Sequence, residues 1–108
     1  MLDTRGRRWE VEVPQTARER IRGLLGRDSP PPGHAMLFVR TRSVHTVGMR
    51  FAIDVAFLDA SLRVIAVRTM RPGRLSLWPR GTRHVLECAA GAGPREGDRL
   101  VPVEPDGT

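Results

Sequence analysis

Residues 54–59, DVAFLD, restrict the possible folds more than any other stretch of this chain. Read as a strand, the run is apolar on both faces, so it belongs inside a sheet that is covered on both sides. The residues after it fit that placement. ASL (60–62) reads as a tight turn, and RVIAVRTM (63–70) as the hairpin partner. Asp59, just before the turn, is most simply a turn residue.

The rest of the chain supplies short elements. RWEVEV (8–13) alternates, with Trp9, Val11 and Val13 on one side and Arg8, Glu10 and Glu12 on the other, as in a strand with one wet face. Pro14 ends it. Thr16 and Glu19 then fit a capping box. Ala17, Ile21, Leu24 and Leu25 share a helical face, and Gly26 supplies the stop. DSPPPGH (28–34) is a stiff connector, since three prolines continue neither a helix nor a central strand. AMLFV (35–39), VHTVGM (44–49), RHVLECAAG (83–91) and RLVPVE (99–104) read as further strands, the last demoted to an edge by Pro102. RPGRLSLWPRGT (71–82) and GAGPREGD (91–98) read as loops, and PDGT as a frayed tail. The expectation is one α+β domain: a curved, mostly antiparallel sheet tending to a small barrel, with one short N-terminal helix.

Composition sets limits on function. With 108 residues there is one modest core. The net charge of +6 raises nucleic-acid binding, but all 18 basic residues are arginine and they are scattered from Arg5 to Arg99. No run of them alternates with aromatics as single-strand binders require. The single cysteine, Cys88, forms no internal disulfide and no zinc spacing. The N-terminus has no apolar signal region and no run is long enough to span a membrane, so a cytoplasmic location is expected.

Chemistry concentrates in two stretches. In VHTVGMRFAID (44–54), an extended backbone places Val44, Thr46, Gly48 and Arg50 on one face and His45, Val47, Met49 and Phe51 on the other. His45 is then either a partly buried histidine bonded to backbone or, with Met49 and Arg50, the mouth of a pocket. A copper site at His45 and Met49 is unfavourable, because four residues of strand span about 13 Å. Asp54 borders the core and needs a partner, for which Arg50 or another arginine is the ordinary choice. In RHVLECAAG, His84, Leu86 and Cys88 share one face and Val85 and Glu87 the other. His84 and Cys88 are too far apart on one strand to form a nucleophile pair, so Cys88 reads as buried and inert. Glu87 between apolar neighbours reads as a loop anchor through backbone amides or as a ligand for a cation. Phosphate-loop, GxSxG and HExxH patterns are absent from the sequence.

Together RGLLGR (22–27), AMLFV (35–39), VHTVGMRFAIDVAFLD (44–59), Pro72, VLECAAG (85–91) and EGDRLV (96–101) appear in an order that resembles the domain of unknown function 192 family, an uncharacterised ancient conserved region of bacteria and archaea. Many members carry an aromatic–Trp–Met–Lys form of the central signature. Here His45, Thr46, Gly48, Met49 and Arg50 occupy it, Ala35 stands where glycine is common, and Ala52 where proline is common. The resemblance implies no settled activity.

The functional expectation is therefore a non-enzymatic small-ligand or protein-binding module, with His45, Met49, Arg50, Asp54, His84 and Glu87 as candidate ligand-binding residues. The alternatives are a small hydrolase or transferase using His45, Asp54, His84 or Glu87, and weak nucleic-acid binding through scattered arginines. The expected partner is a small molecule or protein segment. A cofactor, a metal, specific nucleic acid and membrane are not expected, and the chain is expected to be a monomer or weak homodimer.

Overall fold

The computed structural model describes residues 6–13, 33–40, 44–46 and 51–102, with the backbone alone for 12, 44 and 45. Among the described residues seven strands occur in this order: β1 (Glu10–Glu12), β2 (His34–Phe38), β3 (Val44–His45), β4 (Ile53–Leu58), β5 (Val64–Met70), β6 (Leu75–Ser76) and β7 (His84–Ala89). Five of them form one sheet in the order β1-β2-β7-β4-β5, and β3 and β6 form a separate two-stranded ribbon.

The apolar run behaves as its composition requires. All six residues of β4 are buried, and the strand lies between β7 and β5, antiparallel to both. Asp59 makes the β4–β5 turn. Its Oδ1 accepts hydrogen bonds from the Ser61 amide at 2.8 Å, the Ser61 hydroxyl at 2.8 Å and the Arg63 amide at 3.0 Å. These bonds, the Ser61 hydroxyl foremost, hold the Asp59 carboxyl below its ordinary range.

Side-chain alternation gives the five-stranded sheet two apolar faces. Ala35, Leu37, Ala56, Leu58, Leu86 and Cys88 pack on one, under Trp9 and Leu100. Ile53, Val55, Phe57, Met70 and Val85 pack on the other, with Phe38 and Phe51 at its margin. Arg68 from β5 lies across Phe57, its guanidinium carbon 5.1 Å from the ring centre. The end of the described chain returns to the start of β5, where the Leu100 amide bonds Leu62 O at 2.9 Å and the Val64 amide bonds Asp98 O at 2.7 Å.

The structure corrects the expected fold class in three respects. Among the described residues there is no helix, so the α+β class does not hold for them; the helix expected from Thr16 to Gly26 lies outside the described residues. The sheet is mixed, because β1 runs parallel to β2. A parallel joint excludes a hairpin and needs a crossover of roughly a dozen or more residues, and residues 13–33 separate the two strands. The sheet is also open: β1 and β5 are its edges, so no barrel closes. Over its described part the expected strand at 99–104 is bridged only at single residues, Arg99, which pairs with Arg63, and Val101, consistent with the ladder donor that Pro102 lacks. No helix among the described residues is long and apolar enough to cross a membrane.

Phe57 is fully buried where β4 meets the second face. Phe57→Ala is expected to cost about 3–5 kcal/mol, read as a lower urea midpoint with an unchanged denaturant slope.

Candidate functional site

A cleft of about 350 Å³ opens at one end of the large sheet, lined by Arg40, Ala60, Arg83 and His84. Three elements meet there. Arg40 follows the end of β2, Ala60 lies in the β4–β5 turn, and Arg83 and His84 enter β7. The β4–β7 register fixes the last two, since His84 pairs with Leu58 and the Arg83 amide donates to Leu58 O at 2.8 Å.

His84 has a defined hydrogen-bonding state. The Arg40 backbone amide donates to its Nδ1 at 3.0 Å. An accepting Nδ1 places the ring proton on Nε2, so the side chain lining the cleft is a neutral donor. Burial lowers the imidazole pKa, the charges of Arg83 and Arg40 lower it further, and Asp59 acts weakly in the opposite direction. Arg40 is held at φ 53°, in the left-handed region. A non-glycine residue there costs roughly 1 kcal/mol or more. The cleft therefore combines two guanidinium-bearing side chains with a neutral ring donor, and among the described residues no acidic residue lines it. Such a set suits an oxyanion: a carboxylate, phosphate or sulfate.

Asp54 and Glu87 are not among the residues that line this cleft. The backbone of His45 lies in the β3–β6 ribbon, opposite Leu75, and outside the central sheet. Met49 and Arg50 lie outside the described residues. Within 44–59, β4 runs through the interior of the sheet and β3 lies in the ribbon, while residues 47–50 lie outside the described residues.

Asp54 is buried, and its partners are not arginines among the described residues. Its Oδ1 accepts from the Thr69 hydroxyl at 2.7 Å, and its Oδ2 from the amides of Gly91 at 3.0 Å and Gly93 at 3.2 Å. Gly93 is packed closely here: a Cβ would stand 3.0 Å from the Asp54 Cβ and 3.1 Å from Oδ2, tighter than ordinary contact, so Asp54 would have to give way. On the loop's other side, Trp9 Nε1 donates to Ala92 O at 3.0 Å and Arg7 to Gly93 O at 3.1 Å. The loop-anchoring role expected of Glu87 thus belongs to Asp54.

Glu87 faces the opposite side of the sheet, paired with Met36 and Val55. Its carboxyl has no hydrogen-bond partner among the described residues, and burial pushes its pKa up to about 7. Cys88, in register with Asp54, is fully buried, and burial pushes its thiol up to about 12, so it is an inert core residue. His84 and Cys88 share a face but stand four residues apart on β7. Among the described residues no group of three or more His, Cys, Asp or Glu side chains is placed to hold a metal ion.

Sequence reasoning missed Arg40, Ala60 and Arg83 as cleft residues. It also gave no role to Thr46, which is fully buried beside the ribbon. The Thr46 hydroxyl donates to Arg71 O at 2.6 Å and accepts from the Arg74 amide at 2.8 Å. No local signal marks these residues, since each acquires its role from a pairing distant in sequence.

The model of the family described as an uncharacterised ancient conserved region, domain of unknown function 192, matches residues 1–100. A UPF0127 protein of Pyrococcus abyssi is 34% identical over 92 residues, covering 78% of this chain and 76% of the relative. A UPF0127 protein of Pyrococcus horikoshii is 35% identical over 89 residues, covering 77% and 76%. Among solved structures, a protein of unknown function from Novosphingobium aromaticivorans has the same fold with a TM-score of 0.76 at 23% identity, over 89% of this chain and 77% of that one. A Sinorhizobium meliloti protein described as a "putative transcription regulator" matches with a TM-score of 0.73 at 27% identity, over 86% and 81%.

Glu87 makes stability depend on pH. Its folded pKa of about 7 exceeds its ordinary value of 4.5, so the folded state holds the proton more tightly. The stabilisation is fully present below 4.5 and is lost as pH rises through 7. Glu87→Gln is expected to remove that slope and to raise stability above neutrality by up to about 3 kcal/mol, measured by urea unfolding across pH 4–9.

Proposed function

The chain belongs to the domain of unknown function 192 family, and we propose that it acts there as a non-enzymatic binding domain that takes a small oxyanion in the His84 cleft. The observation that carries this reading is the lock on His84: the Arg40 amide fills Nδ1 and leaves Nε2–H as the ring's donor, beside Arg40 and Arg83. A neutral donor between two guanidinium-bearing side chains favours a bound anion without requiring proton transfer. The left-handed backbone of Arg40 brings its amide onto His84 and so fixes how this residue enters the cleft.

Catalysis has less support. Acid–base chemistry needs titratable groups converging within hydrogen-bond reach of one reacting atom. Asp54 and Glu87 lie on opposite faces of the sheet, and the three bonds to Asp54 come from the protein itself. The description of the Sinorhizobium structure raises nucleic acid as a partner. Against that, several arginines here serve the chain's own backbone: Arg7 bonds Gly93 O, Arg63 bonds Gly97 O, Arg68 bonds Leu77 O and Arg99 bonds Ser61 O.

Calorimetric titration with inorganic phosphate and with citrate tests the proposal. Binding is expected, weakening as salt rises. Arg40→Gly and Arg83→Gln should each reduce affinity about tenfold or more. Arg40→Gly keeps the amide that bonds His84 and relieves the positive φ, so its melting temperature should hold or rise while binding falls. Absence of binding by the wild type, or variants that bind as tightly as it does, overturns the reading.

A further inference from the structure

Strand β6 and the residues after it expose three large apolar side chains. Ser76 is buried, whereas Leu75 and Leu77 on either side of it are 71% and 70% exposed, and Trp78 is 43% exposed. Alternation along an extended chain sends Leu75 and Leu77 to the same outer side.

The chain is held in this attitude from both directions. Arg68 donates to Ser76 Oγ at 2.6 Å and to Leu77 O at 2.7 Å, drawing the backbone and Ser76 towards the sheet. Behind Leu75, the Thr46 amide donates to Arg74 O at 2.8 Å, and Val44 and His45 pair with Ser76 and Leu75. Inward bonds thus fix two leucines outward, in contact with water, which brings the fold no burial energy.

Along the chain on either side of them the charge has one sign. Residues 60–86 contain six arginines and no aspartate or glutamate. Arg71, Arg74 and Arg80, which bracket the leucines and Trp78, are all exposed.

We propose that this ledge docks on the surface of an anionic lipid bilayer, independently of the cleft. Leu75, Leu77 and Trp78 enter the boundary between headgroups and acyl chains, and Arg71, Arg74 and Arg80 meet the headgroup phosphates. Apolar side chains beside arginines and an aromatic are the composition of a peripheral membrane contact. No spanning segment is needed for it. Duplex DNA fits less well, because readers of a groove place hydrogen-bonding side chains between their phosphate contacts, and here two leucines stand there. An acidic peptide also fits less well, because leucines this exposed stand proud of the surface and do not line a groove.

Co-sedimentation of the full chain with phosphatidylglycerol–phosphatidylcholine vesicles, and with pure phosphatidylcholine vesicles, tests this. The wild type should bind the anionic vesicles and bind the neutral ones much less. The double variant Leu75→Ser/Leu77→Ser should lose about tenfold or more in partitioning, with an unchanged melting temperature because both side chains are exposed. Arg74→Gln/Arg80→Gln should lose binding at low salt. The proposal is overturned if the wild type ignores anionic vesicles or if the serine variant binds them equally well. It is equally overturned if duplex DNA or polyglutamate competes the protein off while the leucine substitutions have no effect.

Discussion

Strand β4 is buried on both faces and carries a carboxylate in its second position. The apolar side chains of the strand drive the sheet together, but a buried carboxylate has to be compensated locally. Asp54 meets that requirement with the hydroxyl of Thr69 on β5 and two amides from the loop after β7. Both neighbours of β4 are thereby tied to it by side-chain bonds as well as by the ladder. The same loop is gripped from outside by Trp9 and Arg7, with the Arg7 guanidinium carbon 4.8 Å from the Trp9 ring centre. One end of the sheet is thus cross-linked by polar bonds around Asp54. The cleft with Arg40 and His84 lies at the other end, where β4 runs into its turn.

Local patterns made part of this legible from sequence. The two-sided apolar run predicted a flanked strand, the turn at Asp59 and the β4–β5 hairpin followed from short-range chemistry, and alternation placed His84 and Glu87 on opposite faces. These features depend on neighbours a few residues away. The parallel β1–β2 joint was not legible, because RWEVEV alternates identically in either orientation. The open edges of the sheet were not legible for a related reason: strand count alone does not say whether the first and last strands meet.

The site was less legible than the fold. With 18 arginines in the chain, an arginine partner for Asp54 was the natural expectation, yet backbone amides 37 and 39 residues away fill that role. Periodicity put His45 and Met49 on one face of a long strand, but the described strand there ends at His45. Arg40 gained its importance from a positive φ and from an amide that meets a ring 44 residues distant. Neither property leaves a mark in the local sequence around Arg40, RTRSV (40–44). Thr46 was one small polar residue among several until the ribbon buried it. In each case the deciding contact is a long-range pairing, which sequence pattern constrains least.

The account of the cleft depends most directly on the protonation state of His84. Side-chain nitrogen-15 NMR of the imidazole at neutral pH, assigned by His84→Gln, measures it. The account predicts a neutral ring with its proton on Nε2 and an accepting Nδ1, titrating below the ordinary histidine range. A ring protonated on both nitrogens at pH 7, or one carrying its proton on Nδ1, would contradict the Arg40–His84 bond on which the proposed anion site is built.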